Sequence, residues 1–223
     1  MKPDIYICPD VAGVRALYAD LLAPPFLERP IVEQLEAQAG RLAEAHKNGD
    51  ARMSPQIKSW FPPLVGAPDD KIMSATFSLA DARQTIAREY GFSGWGAVVD
   101  EGASPPEKRF EDAVDVLLAG DADMLSKMLK DDPSLANARS RYGHRAGLLH
   151  YAAANGVETW RQVAPLNLPV LIGVLIGAGA DPNAEAPIYG GARPLGLLTT
   201  SAHPRDAGVT DEAAAVLRAA GAK

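Results

Sequence analysis

Leu175-Ile176-Gly177-Ala178-Gly179-Ala180-Asp181-Pro182-Asn183-Ala184 is the stretch whose reading decides the fold. Its first residues close an apolar helix that the spacing predicts from Leu168 to Ile176, with Asn167 as its cap. Gly179 can take the left-handed conformation that ends such a helix. Asp181 and Asn183 suit the turn that follows, because their short polar side chains bond to nearby main chain. The longest apolar run, Pro169–Ala180, holds 12 residues. A membrane span needs about 20, so the run predicts a buried helix and no membrane partner.

The same grammar recurs on either side. Upstream, Leu148-Leu149-His150-Tyr151-Ala152-Ala153-Ala154-Asn155-Gly156 predicts a partner helix whose small alanines let it lie close to its neighbours. Before that, Phe110, Ala113, Val114, Leu117 and Leu118 form one apolar stripe, and Met124, Leu125, Met128 and Leu129 another. The second stripe is followed by Asp132-Pro133-Ser134-Leu135-Ala136-Asn137-Ala138. Downstream, Pro194–Thr200 and a helix from Asp211 to Ala219 capped by Thr210 complete a third unit, closed by Gly221-Ala222-Lys223. Helix pairs that recur in this way bury their apolar faces against one another.

These residues resemble the ankyrin repeat, whose pattern runs T-P-L-H-x-A-A-x-x-G, then a second helix, then L-L-x-x-G-A-D-x-N-A. Residues 147–156 match from the leucine-histidine onward, and Leu175–Ala184 matches almost throughout. The likeness covers residues 110–223 and departs in three ways. The first unit lacks the T-P-L-H start. Gly156 to its equivalent Ala202 is 46 positions against a family period of about 33, the surplus lying in Val157–Leu166. The third unit has Gly196 in place of the motif histidine and adds Ser201–Gly208. The segment Ile86-Ala87-Arg88-Glu89-Tyr90-Gly91-Phe92-Ser93-Gly94-Trp95 is similar to the helical lead-in of bacterial ankyrin-repeat proteins, whereas residues 1–29 are not. The expectation is an all-α chain of about ten helices: a lead-in and capping region over 1–105, covering the open edge of a short three-repeat solenoid over 106–223.

Within the lead-in, the spacing predicts a helix over Val11–Ala23 capped by Asp10, and a longer one from Pro30 to Lys47. Residues 51–77 read as a helical turn and then irregular chain, with Trp60 and Phe61 as burial candidates. Ser78 and Asp81 open a further helix as a capping box, and Ser93 is expected to cap a short one after it. Ala103-Ser104-Pro105-Pro106-Glu107 reads as the linker.

Composition narrows the function. Of 223 residues, 47% are apolar, 22% charged and only 6% aromatic, with 39 alanines, which favours packed helices over a β-sandwich. A net charge of −6 argues against a general affinity for nucleic acid. One cysteine, Cys8, excludes an internal disulfide and a thiolate zinc cage, and a reducing cytoplasm is the simplest home. Asp4 and Asp10 interrupt the start before any secretory apolar run forms. None of His46, His144, His150 and His203 stands in a metal-protease, hydrolase or redox motif, and no cofactor or metal is expected.

The favoured reading is a protein-interaction scaffold. It would bind a partner through the concave face and the finger loops, with Tyr142, His144, Arg145, Tyr151, Trp160, Arg161, Tyr189 and Arg193 as candidate partner-binding residues. The alternative is a small-molecule-binding protein or enzyme, with His150, Glu158 and His203 as acid–base candidates near Tyr189. The resemblance implies a structural place for His150, bonding neighbouring main chain. His46, near a helix end, suits the negative pole of the helix dipole.

Overall fold

The computed structural model describes residues 4–223. Among them, 61% are helical and 3% strand, in 13 α-helices rather than the ten that periodicity predicts. The three extra helices are Ser54–Trp60, Asp69–Ser74 and Ala202–Asp206. Ser54–Trp60 extends what reads as a single helical turn, while Asp69–Ser74 follows Pro68 and Ala202–Asp206 encloses Pro204, prolines that read as irregular chain. None of the helices is long and apolar enough to cross a membrane.

The chain forms two compact units that do not follow its order strictly. Pro9–Pro106 forms the N-terminal unit together with Glu158–Trp160. Glu107–Val157 and Arg161–Lys223 form the C-terminal unit together with the described residues up to Cys8. A simple division into 1–105 and 106–223 therefore misplaces two short segments.

In the N-terminal unit, α1 spans Pro9–Leu17, α2 Ile31–Lys47, α3 Ser54–Trp60, α4 Asp69–Ser74, α5 Leu79–Glu89 and α6 Trp95–Glu101. The face of α2 carrying Leu35, Ala39 and Leu42 packs on the face of α5 carrying Ala82 and Ile86, all fully buried. The Ser78–Asp81 capping box is present, its two bonds at 3.2 and 2.9 Å. Two boundaries differ from the sequence reading. Helix α1 stops at Leu17 instead of Ala23, because Arg41 Nη1 donates to the Leu17 carbonyl at 2.8 Å while its guanidinium grips Asp20. Helix α6 is preceded by Gly94, not Ser93, in the cap position. Trp60 and Phe61 are only half-buried.

In the C-terminal unit, α7 spans Lys108–Leu118, α8 Ala122–Asp131, α9 Leu148–Ala152, α10 Leu168–Gly177, α11 Pro194–Thr200, α12 Ala202–Asp206 and α13 Thr210–Ala219. Helix α7 packs on α8 and α9, α9 on α10 and α11, and α13 on α10 and α11. The stripe Phe110, Ala113, Val114, Leu117 is buried, as are Ala152 and Ala153. Residues Ile5–Tyr6 (β1) pair antiparallel with Ala164–Pro165 (β2), Ile5 opposite Pro165 and Tyr6 opposite Ala164.

Successive helix pairs are joined by the same side-chain device. Asn137 Nδ2 donates to the Gly179 carbonyl at 2.8 Å, and its Oδ1 accepts the Asp181 N–H at 2.9 Å. Forty-six positions on, Asn183 Nδ2 donates to the Gly221 carbonyl at 2.9 Å and its Oδ1 accepts the Lys223 N–H at 2.9 Å. Gly179 and Gly221 both hold φ +90°, the left-handed value that turns these carbonyls and N–H groups toward the amide. The same offset relates two hairpin closures, Ser140 N–H to Ala146 O at 2.9 Å and Ala186 N–H to Ala192 O at 3.1 Å. Asn167 departs from its expected capping role: its amide instead donates to the Gly120 carbonyl at 2.8 Å. Thr210 likewise begins α13 without a capping bond.

Replacing Asn137 with Ala leaves a donor and an acceptor of the next unit without their partner. We expect a loss of about 1–2 kcal/mol, read from the urea midpoint; an unchanged midpoint would show that the amide bridges contribute nothing.

Candidate functional site

The residues singled out from the sequence fall into three environments. The first is the Ser140–Ala146 hairpin and the start of α9, in the C-terminal unit. Ser140 Oγ accepts the Tyr142 N–H at 3.2 Å, and His144 Nδ1 accepts the Ala146 N–H at 3.1 Å. These bonds curl the hairpin so that the Tyr142 and His144 side chains turn inward. The rings of Tyr142, His144, Tyr151 and Phe110 pack in sequence with centroids 5.8–6.2 Å apart. Tyr142, His144 and Tyr151 are therefore core residues, which corrects the expectation that Tyr142 and His144 lie on a partner-binding finger and that Tyr151 contacts a partner. Arg145, at the tip, stays exposed with φ 50°.

His150 opens this region from below. Its Nδ1 accepts the Gly147 N–H at 3.2 Å and its Nε2 donates to the Ala184 carbonyl at 3.0 Å. One nitrogen must accept and the other must donate, so the ring is the neutral Nε2–H tautomer. Burial is the main cause of its pKa falling from 6.5 to about 4, with the nearby Arg139 charge acting in the same direction. A shallow hollow beside it is lined by Asn137, Arg139, Gly147, His150, Asp181 and Ala184, among others.

The second environment lies along the inserted loop and the Ala186–Ala192 turn, also in the C-terminal unit. Arg161 is buried, paired with Glu111 and, at 2.8 Å, with Asp115; its guanidinium lies 5.7 Å from the Tyr151 ring centre. That ion pair draws it inward and away from a contact surface. His203 Nε2 lies 3.1 Å from Gln162 Oε1, and Gln162 Nε2 donates to the Val157 carbonyl at 2.6 Å, so the imidazole props one inserted turn on the other. Tyr189 is 69% exposed, yet holds φ 47° and ψ 33°, and its hydroxyl bonds Asn155 Oδ1 at 3.3 Å. Arg193 is paired with Glu185 at 2.7 Å on the same turn.

The third environment belongs to the N-terminal unit. Tyr18 donates to Gln56 Oε1 at 2.7 Å, and Gln56 Nε2 donates to Glu89 Oε2 at 2.5 Å. The other Glu89 oxygen accepts the Thr159 N–H at 2.9 Å. Alongside, Gln38 Nε2 and Trp160 Nε1 donate to the Tyr90 hydroxyl at 2.9 and 3.0 Å. Desolvation raises the Glu89 pKa, and the charge of Glu158 adds to it. Glu158 itself is fully buried and Trp160 nearly so, which places Trp160 in the interior and not at a partner-contacting surface. Their neighbours Glu89 and Tyr90 come from 70 positions away in the chain, beyond the reach of local pattern.

Of the three acid–base candidates, His150 bonds main chain and His203 lies against Gln162 in the C-terminal unit, while Glu158 is a buried residue of the N-terminal unit. His46 bonds the Ile72 carbonyl at 2.8 Å and packs on Phe77, besides lying in the last turn of α2. Among the described residues no group of His, Cys, Asp and Glu is placed to hold a metal ion. Sequence reading missed Arg139 and the bridging use of Asn137, although the recurrence of Asn-Ala at 137–138 and 183–184 was the available signal. No family model, curated protein or solved structure matches the chain.

The His150 environment sets a pH dependence. The unfolded ring takes a proton near pH 6.5 and the folded ring only near 4. Between those values the unfolded state binds more protons, so stability falls as pH falls from about 6.5 to about 4. The loss attributable to this one residue is on the order of 3 kcal/mol. Urea midpoints of the parent and His150→Ala, compared across that window, should converge as the pH drops; parallel curves would contradict the assignment.

Proposed function

We propose that the chain is a small ankyrin-type interaction module whose binding surface is the exposed rim of its two hairpin turns. What supports the ankyrin reading is the recurrence of one bonding pattern: the Asn137 and Asn183 bridges and the 140–146 and 186–192 closures repeat at 46 positions, and the bridges end on the left-handed Gly179 and Gly221, 42 positions apart. What supports a binding role is Tyr189. A left-handed conformation costs a non-glycine residue about 1–2 kcal/mol, and a bulky aromatic rarely adopts it. Here the strain is spent on displaying an aromatic ring to solvent between Pro187 and two glycines. Strained, exposed residues of this kind collect at ligand-contacting positions, and tyrosine is favoured at protein interfaces. Arg145 stands in the first hairpin, also exposed and left-handed. The proposed home is a reducing cytoplasm, in keeping with the single cysteine.

The competing enzyme reading asks for His150, Glu158 and His203 to share a site. Within the C-terminal unit, His150 bonds the Gly147 and Ala184 main chain and His203 lies against Gln162, so both imidazoles already serve structural contacts, which favours the binding reading.

Tyr189→Gly separates display from stability. Glycine relieves the φ strain while raising the entropy of the unfolded chain, so stability should stay within about 1 kcal/mol of the parent. Partner capture from a lysate of the native host should fall sharply with this variant and with Arg193→Ala, and stay intact with Lys127→Ala on exposed α8. Capture that is indifferent to Tyr189 would contradict the proposed surface.

A further inference from the structure

Three arginines, Arg139, Arg141 and Arg145, stand within seven residues of a chain whose net charge is −6. They belong to one hairpin, and its main chain ties two of their side chains together. Arg145 Nη1 donates to the Arg141 carbonyl at 3.2 Å, and Arg139 Nη1 reaches the Arg145 carbonyl at 3.4 Å. Arg141 and Arg145 are exposed; Arg139 is half-buried at the edge of the hollow that His150 and Asn137 also line. Its other contact is the His150 Nδ1 at 3.5 Å, a long and poorly committed one. Among the described residues Arg139 has no carboxylate within ion-pair distance. Burial presses its pKa down, and the charge that offsets this is Asp181, which also lines the hollow. A guanidinium that loses hydration without gaining a carboxylate is held at a cost that an incoming anion would repay.

We propose that this hollow and the Arg139–Arg141–Arg145 hairpin form a subsite for an acidic side chain of a protein partner, with Arg139 as the anchoring fork. The inference rests on the interaction-module reading and names the chemistry that the partner brings. The hollow is shallow and small, which suits a single carboxylate entering from the rim. Asp181 in its wall is tolerable to a monoanion and penalises a dianionic phosphate more heavily, by Coulomb repulsion. The negative charge of the whole chain also disfavours a long phosphate backbone. His150, being neutral at the base, adds no competing charge, and its bond to the Ala184 carbonyl holds the floor of the site against the next turn.

The test uses the full chain and a fluorescein-labelled, end-blocked hexaglutamate peptide, followed by anisotropy at low salt, with hexaglutamine and a single-stranded oligonucleotide as comparisons. Hexaglutamate should bind, hexaglutamine should not, and added salt should weaken binding as screening grows. Arg139→Gln should weaken hexaglutamate binding about tenfold, the effect of one lost charge-assisted hydrogen bond. Arg145→Gln, at the exposed tip, should weaken it by a smaller factor without touching His150, and carries the test if Arg139→Gln does not fold. Equal binding of the two peptides, a folded Arg139→Gln that binds like the parent, or an oligonucleotide that binds more tightly through Arg139 would each overturn the proposal. Tyr189-dependent capture without hexaglutamate binding defeats the acidic subsite alone. Arg139-dependent hexaglutamate binding without Tyr189-dependent capture defeats the rim reading and leaves the subsite.

Discussion

The C-terminal unit depends on side chains that satisfy the main chain of a neighbouring turn. Asn137, Asn183, His144, His150 and Asn167 each send a polar atom into loop backbone, some of it more than 30 positions away. The constraint behind this is simple. Tight turns between short helices leave N–H and C=O groups that neither helix can use, and a side-chain partner at a fixed position holds them where water would not. Helices of five to eleven residues do not bury enough apolar surface to fix their own register. Amide and imidazole side chains do so, because each bond forms at only one offset between units.

The same economy explains what the structure displays. Once Tyr142, His144 and Tyr151 are packed and Arg161 is paired with Glu111 and Asp115, the polar surface left at the turns is concentrated at Arg139, Arg141, Arg145, Tyr189 and Arg193. The rim is rich in arginine and carries one strained tyrosine, while the interior of the unit is committed to holding turns. The N-terminal unit follows a parallel rule: Glu89 and Tyr90, at the end of α5, collect bonds from Gln56, Gln38, Thr159 and Trp160. A buried carboxylate is tolerated there because both of its oxygens accept hydrogen bonds.

Local pattern made the helices legible and left the tertiary polar contacts hidden. The stripe Phe110, Ala113, Val114, Leu117 and the capping box Ser78–Asp81 rest on spacings of three and four residues, and the structure keeps both. Gly179 read correctly as a left-handed stop. Trp160 and Arg161 read as partner-contact candidates on the insertion, because the groups that hold them lie 46 to 70 positions away and no local period points to them. Asn137 carried no signal of its bridging role for the same reason: its amide works on the turn of the next unit, 42 to 44 positions away. Helix α1 ended early because of Arg41, again a distant residue. Of the rim, Arg145, Tyr189 and Arg193 were legible as polar residues in turns, but Arg139 was not, since its character comes from partial burial beside His150.

Native-state hydrogen exchange of the loop amides tests the central claim directly. The N–H groups of Ala146, Gly147 and Asp181 lie in turns, where exchange is ordinarily fast, yet they donate to His144, His150 and Asn137. The account predicts protection comparable to the amides in the middle of α10, lost only when the unit opens as a whole. Exchange of these three amides at the rate of an unstructured chain, with α10 still protected, would contradict it.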